Sequence, residues 1–302
     1  MKSKSLRYNY NVLGFSIIVF LCIRQWLSYL FIGMGAQKNL DIWLLCNTGA
    51  LCVSCLVPTI LIERMSGTHP KMFKRVNVVP SLALLGYSYF LITVVSAANS
   101  LLLSALRKMG IEFTSVKLQP IDKGSTFILY FVLLCAAPAI VEEMFLRGYV
   151  LNLLRPYGRS FAIIVSAMCF AFMHSQVQNI IPIFCCGVLL ACIYLLTDSI
   201  WVCMLLHFLN NSISFLMMYV TQTMSGVSAF SFVVYLNIFV VLVGIISREY
   251  LHKINFRMSS MLKNDQNIEK KVMTLFKSPI AMLALGCFVI MTIGQAYMEI
   301  VK

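Results

Sequence analysis

The stretch Ser125–Leu154, STFILYFVLLCAAPAIVEEMFLRGYVLNLL, decides the fold class. It is longer than the roughly 20 residues an α-helix needs to cross the hydrocarbon core of a bilayer. Its apolar residues run on without the period-two alternation of a barrel strand. In lipid, backbone polar groups must be bonded internally, so a run of this kind is helical. Its charges, Glu142, Glu143 and Arg147, lie in its second half rather than at its ends.

Working outward, similar runs recur at roughly 12–34, 42–62, 79–106, 160–178, 180–197, 200–220, 228–247 and 279–298. The chain is 60% hydrophobic and only 12% charged over 302 residues, against about 25% charged in a soluble domain. These features predict an all-α polytopic transmembrane helical bundle of about eight or nine spans. Residues 1–302 then form a single integral membrane domain, because no polar segment is large enough to bury a core of its own. The first run contains Arg24 and lacks a small-residue cleavage site, so it reads as a retained helix rather than a signal peptide. The stretch Arg248–Ser278 reads as a basic surface loop with some amphipathic helix.

The net charge of +13 would suggest nucleic acid in a soluble protein. In a membrane protein, Lys and Arg retained in cytoplasmic loops account for it, and no nucleic-acid partner is expected. Lys2, Lys4 and Arg7, then Arg64, Lys71, Lys74 and Arg75, then the loop from Arg248 to Lys277 all fall on one side if the N-terminus is cytoplasmic. The expected location is therefore a cell membrane, crossed many times, with the N-terminus inside. Arg107, Lys108, Lys117 and Lys123 dissent, through a re-entrant segment or a miscounted span. The 11 cysteines lie in or beside apolar runs, and Cys52 and Cys55 form a C-x-x-C with no second pair. Helix packing explains them better than zinc or redox chemistry, and no disulfides are expected.

Ionisable groups deep in a bilayer are costly and mark functional sites by default. Most of the 11 acidic residues sit in loops or at span edges, whereas Glu142 and Glu143 lie well inside an apolar run. Of four histidines, His174 and His207 lie in spans. Spans four and five turn around Arg155-Pro156-Tyr157-Gly158-Arg159. At about 1.5 Å per residue, Glu142 lies roughly 20 Å from that turn, His174 roughly 22 Å, His207 roughly 10–12 Å in and Asn211 roughly 18 Å. The levels agree well enough for a shared cavity near mid-membrane, expected to open to the cytoplasm.

Helical spacing separates roles. Glu143 and Arg147 are four apart and can pair, while Glu142 points about 100° away and stays free. A free carboxylate, two imidazoles and an amide at one depth can act as base, proton donors or metal ligands and neutral hydrogen-bond donor, in Glu142, His174 and His207, and Asn211 respectively. Their bland alternatives are a structural carboxylate, satisfied core histidines and an interhelical hydrogen bond. Glu142, His174 and His207 also make a zinc set with an open position, though no H-E-x-x-H is present. Near His174 only Ser175 and Gln176 offer support for an imidazole.

The patterns E-E-x-x-x-R (Glu142, Glu143, Arg147), F-x-x-x-H (Phe170, His174) and H-x-x-x-N (His207, Asn211), in that order, resemble the CPBP family of intramembrane proteases. That family includes CAAX prenyl endopeptidases and bacterial proteins linked to bacteriocin processing and self-immunity. The resemblance covers roughly residues 125–220, which would form the catalytic core. It implies an intramembrane endopeptidase acting on a peptide or membrane-anchored protein, with metal-dependent and glutamate-only mechanisms both proposed. Peptide hydrolysis would then take Glu142 as the base for water, His174 and His207 to orient water, donate protons or bind a metal, and Asn211 to stabilise the oxyanion. The bland alternatives for the remaining motif residues are that Arg147 only neutralises Glu143 and that Phe170 only packs. Rival readings are a proton-coupled transporter, against which no paired broken helices are visible, and a catalytically silent immunity or scaffold protein.

Overall fold

A computed structural model describes residues 5–111, 113, 124–256 and 267–300. Among these the chain is helical throughout, with one isolated antiparallel bridge between Phe73 and Ser199. The helices are α1 (Leu6–Gly33), α2 (Leu40–Ser66), α3 (Val78–Lys108), α4 (Thr126–Tyr157), α5 (Arg159–His174), α6 (Val177–Thr197), α7 (Ile200–Thr223), α8 (Gly226–Lys253), α9 (Ile268–Phe276) and α10 (Pro279–Ile300). Seven of them are long and apolar enough to cross a membrane, or eight if the pair α9 and α10 counts as one bent span. The protein is a multi-pass membrane protein built as a helical bundle.

Two of the expected spans come out differently. The fifth, expected over 160–178, is the helix Arg159–His174, 16 residues long. At about 1.5 Å per residue that is only ~24 Å, short of the ~30 Å hydrocarbon core. It stops because Ser175 adopts a left-handed conformation at φ 51°. The last span is preceded by α9, set at 84° to it, which is the helix expected within the basic loop. Lys117 and Lys123 of the dissenting loop lie outside the described residues.

The basic segments gather at one end of the bundle. Asn9 Nδ2 donates to Tyr157 Oη at 3.0 Å, joining the N-terminal segment to the α4–α5 turn. Tyr8 Oη donates to Met65 O at the end of α2, and Tyr10 Oη to Lys271 O in α9. Lys74 Nζ and Arg155 Nη1 both reach Asp198, at 2.9 and 3.3 Å. Helix α8 runs antiparallel to α3, with Gly86 against Ser247 and Gly244 against Phe90, which brings Arg248 and Lys253 to the same end. At the opposite end lie Lys38, Arg107 and the α5–α6 connection, whose Gln178 carbonyl accepts from Asn99 Nδ2 of α3.

Candidate active site

Helix α4 is not a regular α-helix. Two π-helical stretches, Val132–Ala136 and Met144–Val150, flank the segment Ala137–Glu143. Such irregular turns inside helices cluster at functional sites. Pro138 contributes to the first: having no N–H, it cannot satisfy a carbonyl one turn earlier. The carbonyl of Leu133 instead accepts from Thr48 Oγ1 at 3.4 Å, and that of Leu134 from Asn211 Nδ2 at 3.5 Å. Proline thereby ties α4 to α2 and α7 at the level of the glutamates.

Glu143 and Arg147 pair as their spacing predicts. Arg147 Nη1 donates to Glu143 Oε1 at 2.9 Å, with both side chains fully buried. The guanidinium also donates from Nη2 to Gly187 O at 3.1 Å and lies 4.7 Å above the Phe170 ring. A buried ion pair holds only when further hydrogen bonds satisfy its atoms, and the Gly187 carbonyl supplies one. Gly187 is glycine for a steric reason: a Cβ there would lie 3.0 Å from Ala167 Cα of α5. Nothing in the sequence near Gly187 announces this contact, because the approach of α6 to α5 is set by packing alone.

His207 contacts both glutamates. Its Nδ1 lies 2.9 Å from Glu143 Oε1 and its Nε2 3.9 Å from Glu142 Oε2. The Arg147-paired carboxylate accepts, so Nδ1 carries a hydrogen and Nε2 is turned to the Glu142 side. Glu142 is buried, yet its Oε2 has no hydrogen-bond partner among the described residues. Phe170 packs edge-on to both imidazoles, at 4.7 Å from His174 and 5.5 Å from His207. Its ring therefore contacts Arg147, His174 and His207 together.

His174 ends α5. Its Nδ1 is 2.8 Å from Phe170 O, a carbonyl that can only accept, so that nitrogen donates. Both imidazoles thus have an orienting partner, which the sequence around His174 does not reveal. The zinc expectation meets a different geometry, however. Among the described residues, no group of three His, Cys, Asp or Glu is placed to hold a metal ion. Glu142, His174 and His207 line one cavity and are not such a group in this arrangement.

That cavity has a volume of about 900 Å³. Glu142, Phe170, His174, His207 and Asn211 all line it, whereas Glu143 and Arg147 lie behind its wall. Its lining extends past Asn99 and Ser100 to Arg107 and Ile111 at the C-terminal end of α3. Within the bundle the cavity runs away from the Arg155–Arg159 turn, towards the end opposite the basic loops. The physical reason is the short α5. Because it stops at His174, the polar residues Gln176, Gln178 and Asn179 lie within the bundle, where irregular backbone is tolerated only if it lines a cavity. Arg24 of α1 lines the same space, a placement not read from the sequence although an arginine within a span was the signal for it.

Comparison with known families agrees with these motifs. Residues 124–213 match the family described as type II CAAX prenyl endopeptidase Rce1-like, in line with the CPBP resemblance. The match spans α4 to α7, the helices that carry Glu142, Glu143, Arg147, Phe170, His174, His207 and Asn211. The matched family is one of endopeptidases, and the match covers somewhat under a third of the chain. No curated protein and no solved structure matches the chain.

Proposed function

We propose that this protein is an intramembrane endopeptidase in which Glu142 activates the attacking water. The observation that carries the reading is Glu142 Oε2: buried, without a partner among the described residues, lining a large cavity and 3.9 Å from His207 Nε2. A water set to one side of that gap can hydrogen-bond to both atoms, as polar groups beyond about 3.5 Å often do. Glu142 takes a proton from this water as its oxygen attacks the peptide carbonyl carbon. The oxyanion forms beside Asn211, whose amide supplies N–H donors. Glu142 then returns the proton to the leaving amine as the C–N bond breaks, so one water is consumed and two termini are released.

In this reading Glu143 and Arg147 do not touch substrate. They fix His207 from behind, and Phe170 braces both histidines. The catalytic core is the segment around residues 125–220. Substrates are peptides or membrane-anchored proteins, for which the cavity offers apolar walls such as Ile92, Leu103 and Met218 beside its polar ones.

The test is proteolysis by purified protein in liposomes, with a farnesylated peptide ending in a CAAX sequence and its unlipidated twin. New termini are read by mass spectrometry, with Glu142→Gln as control. Cleavage of either peptide that disappears in the variant supports the proposal. Cleavage that survives in Glu142→Gln, or no cleavage of any peptide tried, overturns it.

A further inference from the structure

Arg24 is a charged feature of the cavity that the proposed chemistry leaves unused. It lies inside α1, at a depth where an arginine is costly and marks a functional site unless neutralised. Its neutralisation is incomplete. Nη1 donates to Asn47 O at 2.7 Å, a neutral backbone acceptor, and no carboxylate forms an ion pair with it among the described residues. A guanidinium carries five N–H donors in a planar fork that matches a carboxylate.

Charge along the cavity points the same way. Among the described residues, the charged side chains lining it are Arg24, Arg107 and Glu142, with His174 and His207 beside them. Glu143 and Arg147 cancel each other behind the wall. Among the described lining residues the one carboxylate, Glu142, is committed to water, and Arg24 is the cation set inside the cavity rather than at its mouth. Of the two arginines, Arg107 is exposed at the mouth, whereas Arg24 is deeper. Arg24 lies roughly 27 Å along α1 from the basic end, against roughly 20 Å for Glu142 on α4, and Arg107 is roughly 43 Å along α3. Of the described cations lining the cavity, Arg24 is thus the one nearest the level of Glu142. Amide side chains, Asn99, Gln178, Asn179 and Asn210 among them, line the same space and can pair with both the N–H and C=O groups of an extended peptide.

We propose that Arg24 is a specificity-determining residue that binds a carboxylate of the peptide substrate, its free C-terminal carboxylate, beside the scissile bond. This rests on the reading of Glu142 as the group that activates water. It assigns a role to α1, which lies outside the segment matching the peptidase family.

The experiment uses the full-length protein in liposomes and a set of short N-acetylated apolar peptides, each made as the free acid and as the C-terminal amide. A third version carries the amide and an internal glutamate. Wild type is expected to cleave the acid in preference to the amide by about 10- to 100-fold in kcat/KM, the range for a lost charge-assisted hydrogen bond. In Arg24→Gln that preference collapses towards unity, and Arg24→Lys, which keeps the charge but loses the fork, restores part of it. Rescue of the amide by the internal glutamate would overturn the assignment to the C-terminus. Equal losses on acid and amide in Arg24→Gln, or no preference in wild type, would show Arg24 to be structural. Binding of the acid and amide forms to Glu142→Gln, with and without Arg24→Gln, reads the anchor separately from hydrolysis. A preference that persists there without wild-type cleavage retains the anchor and removes the protease reading; no preference removes the anchor.

Discussion

His207 Nδ1 is 2.9 Å from Glu143 Oε1, the same oxygen that accepts from Arg147 Nη1. One carboxylate oxygen therefore holds both the arginine of its own helix and the imidazole of α7. Adjacent Glu142 makes no hydrogen bond through Oε2 among the described residues, and that oxygen lies 3.9 Å from His207 Nε2. The two neighbouring glutamates consequently have opposite fates on substitution.

Glu142→Gln should leave abundance and thermal stability near wild type, because Oε2 has no partner to lose among the described residues. Hydrolysis should fall by about 10²–10⁴-fold, the range for a lost general base. Glu143→Gln should unfold more easily, since it strands a buried Arg147 at a cost of about 3–5 kcal/mol. Thermal unfolding in detergent beside peptide cleavage checks both; equal stability of the two variants would contradict the division.

Gly187→Ala should lower stability and activity together. The added methyl would lie 3.0 Å from Ala167 Cα and 3.2 Å from Phe170 Cδ1, pushing α6 and its carbonyl away from Arg147. A cost of about 1–3 kcal/mol is expected for overpacking, read from the same melting curves. A melting curve unchanged by this substitution would mean that the Gly187–Arg147 bond is not structural.

Metal analysis separates two uses of the histidines. Because no three donors are placed to hold an ion among the described residues, purified protein is expected to carry substoichiometric zinc and to keep its activity in chelators. Stoichiometric zinc by elemental analysis, with activity removed by a chelator and restored by zinc alone, would reassign His174 and His207 as ligands.

At the basic end, the hydrogen bond from Lys74 holds the Asp198 carboxyl below its usual range, burial partly opposing it and Arg155 assisting. A depressed carboxyl pKa contributes stability above the unfolded value of about 3.9, and that contribution is lost as pH falls through the folded value. Asp198 has φ 49°, a conformation asparagine tolerates. Asp198→Asn should therefore cost a few tenths to about 1 kcal/mol at neutral pH, as for an exposed ion pair. The difference from wild type should vanish in melts at acid pH.

Topology is testable at the two ends of the bundle. In a cysteine-free background, Lys71→Cys should label only from the cytoplasm and Lys38→Cys only from outside, since the basic segments share one end. Both are exposed. Gly158, whose φ of 138° disfavours any side chain, is a poorer labelling site. With this orientation the cavity mouth faces away from the cytoplasm; the reverse labelling would place it inside.

The membrane class, the helical content and the Glu143–Arg147 pair were legible in the sequence because each depends on local facts. A long apolar run has one solution in lipid, and residues four apart on a helix are neighbours whatever surrounds them. Glu142, Glu143, His174, His207 and Asn211 stood out because polar side chains in spans are few. What only the tertiary structure decided are the relations between helices: His207 on Glu143, the Gly187 carbonyl on Arg147, Arg24 in the cavity and the direction in which the cavity opens. Spans that are apolar nearly all round carry little record of which face meets which neighbour. Their rotation and approach come from packing, in which the termination of α5 at Ser175 and the missing Cβ of Gly187 count for more than any polarity pattern.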